Sequence, residues 1–140
     1  MDPATAAVLE TLRLAQSEYV YRSVEEPIGV DGFVIPAGWL LRICVAESHL
    51  LDPHFVDPLR FDPGRHVRSR TARSEFSPFG LDAHSCLGAR LTLELGRSLV
   101  EAFADYVPTV EASERPSRGN RHWRHWGVGP DFRLLLTPRE

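Results

Sequence analysis

The sequence predicts an α+β fold. Three observations predict it: apolar residues at helical spacing over residues 2–16, short β-rich runs from Tyr19 to Val45, and leucines recurring every four positions after Cys86. With 140 residues and 43% hydrophobic content, the chain has material for one modest domain. Such a domain buries roughly two-thirds of the surface its unfolded chain exposes.

The first helix is expected over residues 2–16. Asp2 suits its N-cap, Pro3 its first turn, and Ala4, Val8, Leu9 and Leu12 form an apolar face. Glu10 and Arg13 lie one turn apart on it. Next, Asp31-Gly32 is a two-residue turn signal joining Ile28-Gly29-Val30 to Phe33-Val34-Ile35. Pro36-Ala37-Gly38 then precedes Trp39-Leu40-Leu41, so a small antiparallel sheet is expected. Between Glu47 and Glu75 the prolines Pro53, Pro58 and Pro63, with Gly64 and the arginines from Arg60 to Arg73, leave little periodicity, and an irregular segment is expected. Leu87, Leu91, Leu95, Leu99 and Phe103 then predict a strongly amphipathic helix that runs to a stop at Pro108. Residues 111–120 read as a polar loop, and Phe132 to Leu136 as a final strand.

A net charge of -3 gives no basic footprint for nucleic acid, and no apolar run approaches a membrane span. All the basic residues are arginine. The N-terminus lacks the charged and apolar regions of a secretory signal, so a cytoplasmic location is expected, where a structural disulfide between Cys44 and Cys86 is not. Cys44, within Leu40 to Val45, reads as a packed strand residue. His122 and His125, in a twice-repeated Arg-His-Trp, lack the neighbouring ligands of a zinc site and are not expected to hold metal. The arginines from Arg60 to Arg73 read as a solvated basic segment rather than a docking face for an acidic electron carrier.

The chemistry gathers at Pro78-Phe79-Gly80-Leu81-Asp82-Ala83-His84-Ser85-Cys86-Leu87-Gly88. A glycine-containing loop delivers a cysteine to the entrance of a helix, where the positive end of the helix and nearby backbone amides favour a thiolate. Gly88 would let a flat macrocycle lie close to the helix start, and His84 would reach an anionic group at its edge. This stretch resembles the haem-binding loop of the cytochrome P450 family, F-x-x-G-x-[HR]-x-C-x-G, at Phe79, His84, Cys86 and Gly88. Glu10-Thr11-Leu12-Arg13 is similar to the family's E-x-x-R helix, and Phe61-Asp62-Pro63-Gly64-Arg65 to the segment that completes its Glu-Arg-Arg triad. The motifs stand in family order. Ile35-Pro36-Ala37-Gly38 and the turns at Asp52-Pro53 and Asp57-Pro58 are also similar, so the resemblance covers nearly the whole chain.

The resemblance implies a single partial domain over 1–140, the C-terminal third of a P450: E-x-x-R helix, small sheet, irregular meander, cysteine loop and long amphipathic helix. It implies haem b (iron protoporphyrin IX), with Cys86 as the axial ligand to iron, Phe79 and Gly88 against the haem, and His84 and Arg22 on its propionates. Glu10, Arg13 and Arg65 would be structural, a carboxylate shared by two guanidiniums. The implied activity is that of a monooxygenase, placing one atom of molecular oxygen in a small organic substrate with electrons from a ferredoxin or flavoprotein reductase. The oxygen-activating and substrate-binding distal part is not among these residues, so either a complementing N-terminal P450 chain or a truncated gene is implied, and only residues around Ser23 to Glu26 would touch substrate. The alternatives are a non-catalytic haem-binding or protein-interaction remnant of a P450 and an inactive fragment. Asp82 stands where the pattern has glycine. There it either points to solvent or weakens haem binding by repelling the thiolate.

Overall fold

In the first helix, α1 (Pro3–Ala15), Asp2 caps the N-terminus by accepting a hydrogen bond from the Thr5 amide at 2.8 Å, and Pro3 occupies the first turn. The computed structural model describes residues 1–16, 19–68, 76–111 and 132–140. The expected apolar face of α1 is only half-buried. The residues that α1 buries most deeply are Ala6, Glu10 and Arg13, spaced four and three apart on one stripe. Its inward face is therefore partly ionic.

The β-rich stretch forms two separate antiparallel pairs rather than one sheet. Strand β1 (Tyr19–Ser23) pairs with β4 (Leu40–Cys44), and β2 (Ile28–Val30) with β3 (Phe33–Ile35). The β2–β3 turn places Asp31 at φ 46° and Gly32 at φ 82°, the two positive values that let a two-residue turn follow the twist of its strands. Cys44 ends β4 half-buried, opposite Tyr19, and the Arg42 guanidinium lies 4.7 Å from the Tyr19 ring centre.

A helix then appears where none was expected. Helix α2 (Val45–Leu51) follows β4 without a connecting residue, and its C-cap, Asp52, accepts a hydrogen bond from the His54 amide at 2.8 Å. The irregular segment follows, interrupted by the single turn α3 (Arg65–Arg68).

The cysteine loop leads into α4 (Ala89–Phe103). Leu87 lies before this helix and is fully exposed. The helix ends at Phe103, not at Pro108, which sits within β5 (Tyr106–Glu111) opposite Leu136 of β6 (Arg133–Pro138). A proline in a two-stranded pair can turn its missing donor outward, so strand pairing overrides its reading as a helix stop. The final strand lies one residue beyond its expected start and two beyond its expected end. Residues 112–120, the Arg-His-Trp repeat and His122 and His125 lie outside the described residues.

Helix α1 is the hub, packed on α2, α3 and α4. Against α4 the approach is close: a Cβ on Gly96 would stand 2.9 Å from Cγ2 of Val8. Among the described residues no helix is long and apolar enough to cross a membrane.

Candidate functional site

Two structures built from neighbouring parts of the chain make up the candidate site. The first is a buried knot around Glu10. Nε of Arg13 donates to its Oε2 at 2.9 Å and Nη2 to its Oε1 at 2.9 Å, a two-point pairing within one helical turn. Oε1 also accepts from Nε of Arg65 and from the Asp62 amide, each at 3.0 Å. Nε2 of His66 lies 2.9 Å from Oε2. Glu10 and Arg13 are both 0% exposed.

Burial alone pushes the Glu10 carboxyl up. The hydrogen bonds from Arg13 and the Asp62 amide, the Arg13 charge and the Arg65 hydrogen bond outweigh it and hold Glu10 at about 2. An ionised Glu10 has only acceptors, so the His66 proton must sit on Nε2. Burial, first, keeps the His66 pKa below its ordinary value, although Glu10 pulls it the other way.

Arg65 extends the knot into the irregular segment, donating to the carbonyls of Val56 at 2.9 Å and of Asp57 and Arg60 at 3.3 Å. Arg13 also reaches the Arg60 carbonyl at 3.3 Å. Backbone with no regular pairing thus finds its partners in two guanidiniums. On the other flank, the Phe76 ring lies between the imidazoles of His49 and His66, with centres 4.9 and 5.0 Å away. The Arg13 guanidinium stands 5.2 Å from the Phe55 ring centre.

The second structure is the cysteine loop. The Gly80 amide donates to Ser77 O at 3.0 Å, and the Cys86 amide donates to Phe79 O at 2.7 Å, which closes the loop on itself. Asp82 begins a single 3-10 turn (Asp82–His84) with φ at 49°. It thus occupies the left-handed conformation for which the motif has glycine. Its side chain is exposed, as is that of His84. Cys86 is an exposed free thiol, and a Cβ on Gly88 would lie 3.8 Å from its Sγ. Gly88 itself caps α4, whose amides begin at Thr92 N to Gly88 O, 2.8 Å.

Glu10, Arg13 and Arg65 therefore meet in one cluster, while Phe79, His84, Cys86 and Gly88 share one loop. Arg22 lies apart on β1, exposed, with Nη1 donating to the Tyr21 carbonyl at 2.8 Å. Residues that sequence reasoning did not single out are His49, Phe55, His66 and Phe76, which the tertiary fold collects around the knot. The only sequence signal for His66 is its place beside Arg65.

Known proteins resemble this chain in sequence and in fold. The sequence profile described as Cytochrome P450 matches residues 1–97. Cytochrome P450 26B1 of Xenopus tropicalis is 37% identical over 75 residues, 51% of this chain and 15% of that protein. Among solved structures, the retinoic acid-bound cyanobacterial CYP120A1 superposes with a TM-score of 0.67 at 22% identity, covering 80% of this chain and 27% of that one. Ligand-free cytochrome P450 OleT gives a TM-score of 0.65 at 21% identity, covering 80% and 28%. A structure from work on unusual cytochrome P450-like monooxygenases of microbial secondary metabolism gives 0.62 at 25% identity, covering 74% and 26%. The chain spans less than a third of the length of each of these proteins.

Proposed function

The chain belongs to the cytochrome P450 family, and we propose that it is the haem-holding part of a P450 monooxygenase, with Cys86 as the residue that would ligate the haem iron. The observation that carries this reading is the Cys86 thiol itself: exposed, free, and placed by the Phe79 carbonyl at the mouth of α4.

The residues present fit a haem. Gly88 leaves the flank of the sulfur open where any side chain would begin 3.8 Å from it. Exposed Leu81, Leu87 and Leu91 flank the cysteine in sequence and offer apolar surface to a flat macrocycle. His84, exposed two residues away, would donate to a propionate, and Phe79 would pack at the haem edge. Arg22 would serve the second propionate after giving up its bond to the Tyr21 carbonyl. When bound, the haem supplies oxygen activation, helped by the electron density of the thiolate.

The chain's own residues hold and orient. Cys86 would ligate the iron through its sulfur, His84 would hold the haem edge, and the Glu10 knot keeps the meander in place. On this reading the substrate pocket and distal wall, which decide the fate of oxygen, are carried by residues outside these 140, in the same polypeptide or a complementing one. The reaction places one oxygen atom in a small organic substrate, with electrons from a ferredoxin or flavoprotein reductase.

The test is spectroscopic. The chain is loaded with haem b, reduced and exposed to carbon monoxide. A thiolate-ligated adduct is expected in the wild type and its loss in Cys86→Ala; identical spectra from the two would overturn the reading.

A further inference from the structure

The segment that enters the cysteine loop, Phe76 to Pro78, belongs to no strand, and its polar backbone is held by side chains. The Ser77 amide donates to Nε2 of His49 at 3.2 Å, and the Pro78 carbonyl accepts from Nε2 of Gln16 at 2.6 Å. These two side chains come from α2 and from the C-cap of α1. From there the chain reaches Cys86 by short links: the Ser77 carbonyl takes the Gly80 amide, and the Phe79 carbonyl takes the Cys86 amide. Two hydrogen bonds and the Phe79–Gly80 peptide link thus connect Ser77 to Cys86.

We propose that His49 is a positioning residue for Cys86, clamping the base of the cysteine loop through the Ser77 amide, with Gln16 holding the adjoining Pro78 carbonyl. The role in haem ligation rests on the reading of Cys86 given above; the clamp itself does not.

The geometry explains why a histidine suits the place. His49 is 1% exposed and packs against the rings of Phe55 and Phe76. The clamp needs an acceptor at the far end of a flat, buried side chain, which a neutral imidazole with its proton on Nδ1 provides. That Nδ1 is buried with no partner among the described residues, so among them the one hydrogen bond of the ring is that to Ser77. Protonation would turn the acceptor into a donor facing an amide donor, and the clamp would open.

Burial first, and then the Arg13 charge, keep the His49 pKa below its ordinary value, against a smaller opposing pull from Asp52. The groups that face it are Arg13 from α1 and Asp52 at the end of α2, with His66 of α3 across the Phe76 ring and Glu10 behind Arg13 and His66. A histidine held neutral in the folded state stabilises it above pH 6.5. That contribution is lost as pH falls from 6.5 through the depressed folded value.

Amide hydrogen exchange on the full chain without haem tests the clamp. His49→Phe is expected to lose about tenfold in protection at the Ser77 and Cys86 amides, one buried hydrogen bond's worth, while the amides of α4 keep theirs. His49→Gln, which restores an acceptor that does not titrate, is expected to recover most of the loss. In the wild type, protection at Ser77 falls below pH 6.5 after correction for intrinsic exchange, and in His49→Gln it does not. Unchanged protection at Ser77 in His49→Phe, or a uniform loss that glutamine fails to rescue, overturns the clamp. Should His49→Phe not fold, identical pH profiles for the wild type and His49→Gln overturn it instead. The same proteins loaded with haem b separate the two readings. Clamp behaviour without any thiolate adduct breaks the role of Cys86, whereas an adduct without clamp behaviour breaks the role of His49.

Discussion

Glu10 and Cys86 anchor two regions of opposite character, joined through α1 and the base of the cysteine loop. Around Glu10, charged and aromatic groups are withdrawn from water and, apart from Nη1 of Arg13 and Nδ1 of His49, paired with one another: Glu10, Arg13, His49, His66 and Phe55 are all buried. Around Cys86 and along α4, apolar side chains face out, with Leu91 63% and Leu95 62% exposed and Leu99 alongside them. That is the reverse of the usual partition of polar and apolar groups. The knot shows where the chain completes its own packing, using guanidiniums to satisfy backbone that no sheet or helix pairs. The leucine face shows where packing is unfinished, since contiguous exposed apolar surface of this kind marks a surface that receives something. On the function proposed above, the remainder of a P450 would pack on that side.

The comparison breaks most visibly at Glu10. Glu10→Ala leaves Arg13 buried and without its carboxylate and removes the acceptor shared by Arg65, His66 and the Asp62 amide. Breaking a buried ion pair by deleting one partner costs about 3–5 kcal/mol, a large part of the stability of an ordinary domain. Urea unfolding followed by circular dichroism is expected to show an unfolded or barely folded variant. The pH profile sharpens the same point. Glu10 is held at about 2 in the folded chain, against an ordinary value of 4.5, so its contribution is complete above pH 4.5. It is lost as pH falls through about 2. Glu10→Gln, which cannot ionise, is expected to lose the acid-dependent part of the stability curve in that window. A variant as stable as the wild type with the same acid profile would show that the knot holds nothing.

Some of this was legible in the sequence and some was not, and the division follows the range of the interactions. Features fixed by neighbours could be read directly. Asp2 and Pro3 start α1, Asp31-Gly32 makes the β2–β3 turn, and the four-residue leucine spacing gives most of α4. The α+β class follows from these. Features fixed by distant partners were legible only where the family resemblance supplied them, as for Arg65 at Glu10. Helix α2 follows an apolar run that reads as strand, and Pro108 reads as a helix stop although it lies in β5, whose partner, β6, is more than twenty residues away. The site divides in the same way. The cysteine loop is contiguous and announces itself. The joining of His66 and the Asp62 amide to Glu10 spans more than fifty positions, and His49 beside Ser77 spans twenty-eight. No local pattern marks such meetings.

A smaller effect is expected at Asp82, on the loop side of the comparison. Its φ of 49° favours glycine, and its exposed carboxylate takes no part in the knot. Asp82→Gly relieves the left-handed strain but adds freedom to the unfolded chain, so a gain of less than about 1 kcal/mol is expected. Thermal unfolding measures it. Because the side chain is exposed, the affinity of the chain for haem b is expected to change little. A large gain in affinity would mean that the Asp82 carboxylate acts on the Cys86 thiolate after all.

The smallest effect is expected where an ordinary helix would give one of the largest. Leucine at a helical a or d position usually faces a core, and replacing it with lysine there buries a charge. In this chain Leu95 is 62% exposed, so Leu95→Lys removes little buried area, and a change within about 0.5 kcal/mol is expected in urea unfolding of the isolated chain. The same substitution is expected to weaken association strongly once the remainder of a P450 fold covers α4, because the ammonium would then be buried without a partner. Chain stability and association strength, measured on one variant, thus separate a face that is open in the chain from a face that is unimportant. A loss of several kcal/mol in the isolated chain would mean that Leu95 is already packed and that the contrast with the Glu10 knot does not hold.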